Sequence, residues 1–233
     1  MEGLLEILES KKETIKSNKC MVILISLLFK YLIEVGTIKE EGCIHIRKQL
    51  RYNKKVIPDT YVPTEIEVIN TIDNLSPNSK ILYEIYLFSG LRKIELNYVL
   101  SNYNKLTIQQ FDGFVKISTN YLRKNKNSYF CYLPDFLFNK FKEYQKQLSI
   151  CTISCEIKRK KLIPIKYCRK WFYTKCIELG IPESIADFYE GRVASSVGGN
   201  HYLSRQMLAD KYYGEKLVDF FRNFVKSTDM KNK

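Results

Sequence analysis

The sequence predicts a mainly α-helical protein with one small antiparallel β-sheet, and three observations carry that expectation. Apolar residues recur at helical spacing through most of the 233 residues, of which 45% are hydrophobic, enough for one good core and a small second unit. Only between Phe111 and Pro134 does the texture change, to two β-type runs separated by a polar, lysine-rich tip. Glycine and proline fall where the helical pattern breaks.

Taken in order, residues from about Leu4 to Val35 read as helix, with Leu4, Leu5, Ile7, Leu8 and Ile15 on one stripe and an almost wholly apolar stretch from Val22 to Leu32. Such a helix must be covered. Gly36 and Gly42 end the pattern, and a basic stretch, Arg47, Lys48, Arg51, Lys54 and Lys55, leads to Pro58 and Pro63 as a linker or DNA-facing boundary. Thr64 with Glu67 three residues on has the form of a capping box, so a second unit starts there. A helix to Asp73, a turn at Ser76–Asn78, a helix over Ile81–Phe88 ending at Gly90, and a short helix over Glu95–Leu100 follow. Phe114–Ser118 and Tyr129–Leu133 form a hairpin with a basic tip. Phe136–Leu148, Tyr167–Leu179, Glu183–Tyr189 and Met207–Val225 carry helical spacing, with Gly180 and Pro182 turning the chain between two of them.

Lys plus Arg number 38 against 25 Asp plus Glu, a net charge of +13, so the leading expectation is a polyanionic partner. Seven cysteines, an odd number without a secretory signal pattern, fit a reducing cytosol rather than a disulfide framework. Cys151 and Cys155 are the one close pair, and with two histidines in the chain, neither near them, a zinc site is not expected. The apolar run Cys20–Phe29 is about half of the roughly 20 residues that span a bilayer. No membrane association is expected.

The chemistry-bearing pattern is a set of basic residues ending on one tyrosine: Ser89-Gly90-Leu91-Arg92 with Glu95, Lys166 with Arg169, Gly191 with Arg192, and His201-Tyr202. Arginine presents a planar, permanently charged fork to phosphate, and a tyrosine hydroxyl can attack phosphorus once cations stabilise the developing charge. Each element alone has a plainer reading. Gly90 can be a helix cap followed by a solvated arginine, Lys166–Arg169 a basic first helical turn, and Tyr202 one packing tyrosine among 17.

Order and spacing lift the set above its parts. From about Lys55 to Tyr213 the chain resembles the catalytic domain of tyrosine recombinases, and most closely the fusellovirus-type integrases of archaeal viruses and plasmids. Lys166-x-x-Arg169 stands where bacterial members have His-x-x-Arg, and Gly191-Arg192 where they have Gly-His. Tyr202 follows Arg169 by 33 residues, as that family's nucleophile does.

The resemblance implies a tyrosine recombinase catalytic domain over residues 56–233, preceded by a short helical unit over 1–55 that clamps DNA or contacts a neighbouring subunit. By position, Arg92 and Arg169 would hold the scissile phosphate, Arg192 and Lys166 would stabilise the transition state, and Tyr202 would attack. A hairpin lysine would protonate the departing 5′ oxygen. Lys126 is preferred because Lys126-x-x-Tyr-x-x-Tyr-Leu-Pro134 resembles the strand that follows this lysine in archaeal members, with Lys124 the runner-up and a DNA contact; Lys116 lies on the preceding strand. Glu95 is expected to pair with a basic residue, Trp171 to pack beneath the site, and His201 to fill space beside the nucleophile; His45 is read as a surface residue. Tyr212 and Tyr213 lie too far along for the family spacing. Arg47, Lys48, Arg51, Lys54 and Lys55 would follow the DNA backbone.

The implied activity is site-specific recombination of double-stranded DNA through a 3′-phosphotyrosyl intermediate, integrating or excising a viral or plasmid genome. The implied agent is a tetramer in the host cytoplasm, working without cofactor or metal. A type IB topoisomerase-like relaxase and a non-catalytic basic DNA-binding protein on the same fold stay open at this point.

Overall fold

The computed structural model of the protein describes residues 7–8, 10–41, 48, 59–121, 128–144, 150–192 and 200–230; of these, the side chains at 16–17, 120–121, 150, 200–203 and 228–230 lie outside the description. The chain divides into two compact units, Met1–Thr60 and Tyr61–Lys233.

In the first unit the expected continuous helix is two, α1 (Lys12–Ser17) and α2 (Lys19–Glu34). Asn18 is the cause. It is extended, and its side chain accepts from the Cys20 and Met21 amides at 3.0 and 3.3 Å, starting a new helix instead of continuing the old one. Phe29 packs with Leu8, Ile15 and Ile38, while Leu24, Leu27 and Tyr31 on α2 stay exposed.

The first helix of the second unit begins as the sequence indicates. Thr64 accepts from the Glu67 amide at 3.3 Å and Glu67 accepts from the Thr64 amide at 2.7 Å, a capping box that opens α3 (Glu65–Asp73). Ser76–Asn78, expected as a separate turn, instead starts α4 (Pro77–Ser89). Pro77 sits in its first turn, where the missing N–H costs nothing. After α5 (Lys93–Asn102) come β1 (Ile108–Phe111), β2 (Phe114–Tyr121) and β3 (Ser128–Pro134), an antiparallel sheet in the order β1-β2-β3. Strand β1 has no signal in the sequence, because Gln109 and Gln110 lie on an exposed edge and show no apolar alternation. The helices α6 (Asp135–Tyr144), α7 (Ile150–Lys160), α8 (Lys166–Glu178) and α9 (Glu183–Tyr189) follow, and α7 is not among the expected helices. The last expected helix is longer than its apolar spacing suggests: α10 (Asn200–Tyr212) passes through a π-turn at Tyr213–Leu217 into α11 (Val218–Met230).

α4 is the centre of the core. Every residue from Ile81 to Ser89 is buried, and Phe88 stacks on Phe221 of α11 with ring centroids 4.1 Å apart. Trp171, 1% exposed, packs against Phe224 from α8, as expected of it. Tyr213 donates its hydroxyl proton to the Phe88 carbonyl at 3.0 Å. The carboxyl end of α4, the start of α8 and the end of α9 therefore share one body, which fixes where their arginines can lie.

Candidate active site

α4 stops at Gly90, in the left-handed region at φ +65°. A Cβ there would stand 2.5 Å from the Phe172 ring, so glycine is required both by conformation and by space. Two residues later Arg92 is extended and caps α5. Glu95, wholly buried, accepts from the Arg92 amide at 3.0 Å and from Arg92 Nη1 at 2.8 Å. The segment Ser89-Gly-Leu-Arg-x-x-Glu95 is thus a helix stop, a turn and a helix start, and Glu95 aims the arginine as expected. The Arg92 side chain keeps 25% of its surface exposed.

Arg169 lies in the first turn of α8. Its Nη1 donates to the Gly90 carbonyl at 3.2 Å, and its Nη2 is 3.0 Å from Glu190 Oε2. Burial is the main influence on its proton affinity, lowering it to about 10, and the Glu190 charge opposes that fall. The guanidinium remains charged at neutral pH. Arg192 reaches the same oxygen with Nε at 2.6 Å, and its guanidinium lies 5.2 Å from the centre of the Tyr173 ring. Arg92 Nη1 also donates to the Glu190 carbonyl at 3.3 Å. Three arginines from three distant segments converge on one residue.

Sequence reasoning did not single out Glu190. Its side chain is fully buried, and neither carboxylate oxygen has an aligned hydrogen-bond donor although two guanidiniums touch it. Burial raises its pKa to about 7, against the pull of Arg169 and Arg192. An acidic residue directly before Gly191-Arg192 is the available sequence signal. Nothing local tells that this carboxylate turns inward.

The remaining candidates divide by position. Lys166 opens α8 on the protein surface, with Nζ 4.3 Å from the centre of the Tyr167 ring; it is one turn from Arg169, but the convergence on Glu190 is formed without it. Tyr202 falls in the first turn of α10 by backbone; its side chain and that of His201 lie outside the described residues. So do Lys124 and Lys126, and Arg47, Arg51, Lys54 and Lys55, whereas Lys48 is exposed in the first unit. Tyr213 is core: it is fully buried, and burial holds its hydroxyl well above the ordinary value.

The body of α10 is tied to its own chain. Lys116 and Tyr132, register partners on β2 and β3, both reach Asp210, at 2.6 and 2.7 Å, and Tyr189 donates to the Ala209 carbonyl at 2.7 Å. Lys116 is therefore committed to an ion pair within the protein. Among the described residues no three His, Cys, Asp or Glu side chains gather as a metal-ligand set, and no helix is long and apolar enough to cross a membrane.

Arginines that share a buried anchor and keep part of their surface exposed can receive an anion whose negative charge is shared over two oxygens. No curated protein matches the chain. The family model of archaeal phage integrases matches residues 60–219, a span that includes Arg92, Arg169, Glu190, Arg192 and Tyr202. By that match, over well more than half its length, the chain belongs to the archaeal phage integrase family, whose role is DNA integration and whose partner is DNA.

Proposed function

We propose that the protein is a tyrosine site-specific recombinase that cleaves and rejoins DNA through a 3′-phosphotyrosyl intermediate. The convergence of Arg92, Arg169 and Arg192 on Glu190 carries this reading, since it gathers three permanent charges from residues 92, 169 and 192 at one place. In the proposed cycle the three arginines hold the scissile phosphate, and Lys166, one turn from Arg169, adds charge to the transition state. The Tyr202 hydroxyl oxygen attacks phosphorus, and its proton passes to solvent. The P–O5′ bond breaks, the 5′ oxygen takes a proton from Lys126, with Lys124 as the alternative donor, and the phosphate stays on tyrosine. A 5′-hydroxyl from the exchanged strand then reverses the step. The energy of the broken bond is kept in the phosphotyrosine, so the chemistry requires neither nucleotide nor metal.

Four protomers acting on two attachment sites would integrate or excise a mobile genome. The unit before residue 56, with Lys48 and its basic neighbours, would clamp the duplex or contact a neighbouring subunit.

Arg92→Lys and Arg169→Lys test the reading, because each keeps the charge and removes the fork. Single-turnover cleavage of a nicked duplex is expected to fall by roughly two orders of magnitude or more in each, with duplex affinity little changed. Wild-type rates in either variant would remove that arginine from the phosphate site.

A further inference from the structure

Among the described residues, Glu190 is the buried acid whose carboxylate is faced by two arginines. It faces Arg169 on α8 at 3.0 Å and Arg192 at 2.6 Å, with no solvent exposure and no aligned donor to either oxygen. The other charged and titratable groups around it are Arg92 and Glu95 on α5, Asp187 on α9, which also lies 3.9 Å from Arg192, and the buried thiol of Cys176 on α8. Its carboxylate is the internal counter-charge of the two arginines that the proposed function assigns to the scissile phosphate. A phosphodiester docked on those arginines would stand close to Glu190 and carry the same sign of charge. Two anions cannot share that pair at no cost where water is excluded.

We propose, resting on that reading of the site, that Glu190 is a positioning residue that holds Arg169 and Arg192 together in the DNA-free protein and takes up a proton from solvent when a phosphodiester docks on them. The exchange conserves charge locally: one negative charge arrives on phosphate and one is neutralised on Glu190. Its carboxyl already binds protons far more readily than an ordinary glutamate, with a pKa near 7, so a modest further rise suffices. The arginines keep their charges throughout. By linkage, affinity for DNA is then highest where Glu190 is readily protonated and falls as pH rises past neutrality.

Isothermal titration calorimetry of the full chain with a mixed-sequence duplex at low salt, near pH 7.5, in buffers of different ionisation enthalpy, reads the proton directly. Wild type is expected to take up roughly half a proton per protein bound, and Glu190→Gln markedly less. His201→Gln, which removes the one histidine of the second unit, is expected to retain the uptake. From about pH 7 to about 9, wild-type affinity should fall several-fold more than that of Glu190→Gln. No uptake by wild type, equal uptake by Glu190→Gln, or uptake abolished by His201→Gln would each overturn the assignment. The wild-type and His201→Gln measurements decide the matter even if Glu190→Gln does not fold. A covalent-adduct gel run beside the calorimetry separates the two claims. Uptake without adduct leaves Glu190 linked to phosphate and removes the recombinase reading; adduct without uptake does the reverse.

Discussion

Lys116 Nζ stands 2.6 Å from Asp210 Oδ2, with the lysine side chain 2% exposed and the aspartate 19%, and this pair joins strand β2 to helix α10, which includes Tyr202. Opposite it in register, Tyr132 donates to the other Asp210 oxygen. Helix α10 is thereby fastened to the sheet two turns beyond Tyr202. Asp210→Ala leaves Lys116 buried without its counter-charge, and breaking such a pair costs about 3–5 kcal/mol. Urea unfolding should show that loss, and Lys116→Met combined with Asp210→Ala should recover part of it, since no lone charge is then buried. Additive losses in the double variant would show that the two residues are not coupled.

Gly90→Ala combines a left-handed backbone with a Cβ 2.5 Å from the Phe172 ring. The conformational cost is about 1 kcal/mol and overpacking adds about 1–3. Stability should fall by about 2–4 kcal/mol on those figures, and cleavage should fall further, because the Gly90 carbonyl holds Arg169 and the turn sets Arg92. Phe172→Leu, which makes room, should restore part of the stability in the double variant. A loss in cleavage no greater than the loss of folded protein would dissociate this turn from the chemistry.

Glu190 also links folding to pH, and its sign is the reverse of a typical salt-bridged acid. Burial raises its pKa from 4.5 to about 7, so the folded state binds the proton more tightly than the unfolded chain. Its contribution to stability is fully present below about pH 4.5 and is lost as pH rises to about 7, by up to about 3 kcal/mol at 1.4 kcal/mol per unit. Chemical denaturation at several pH values should show wild type losing stability across that window relative to Glu190→Gln. Parallel curves would place the Glu190 pKa at its ordinary value.

Much of the fold was legible in the sequence because its signals are local. The Thr64–Glu67 capping box, the stop at Gly90 and the helix over Glu183–Tyr189 depend on residues within a few positions of each other. β1 and α7 depend on tertiary pairing. Gln109 and Gln110 have no pattern of their own and are strand only because Phe114–Ile117 lie beside them. α7 places Glu156 against the Ser76 amide and hydroxyl, a contact across 80 residues. The same divide holds at the site. Arg92, Arg169 and Arg192 stand out by order and spacing, and the structure brings them together. The carboxylate that unites them does not, since its inward orientation follows from the packing of α8 and α9.

The hairpin lysines are distinguished by chemistry. Lys126→Ala should lose cleavage of an ordinary duplex and regain it on a substrate whose departing 5′ oxygen is sulfur, because a thiolate leaves without a proton. Arg169→Lys should be rescued far less. Selective rescue of Lys124→Ala instead would move the general acid by two residues.

If Tyr202 carries the covalent intermediate, trapping that intermediate on DNA identifies it. On a nicked suicide duplex, wild type should form a protein–DNA adduct that survives denaturing electrophoresis, and peptide mapping should place the linkage on Tyr202. Tyr202→Phe should form none while binding the duplex almost as well, having lost one hydroxyl and no positive charge. Adduct persisting in Tyr202→Phe, or mapping to Tyr212 or Tyr213, would contradict the account.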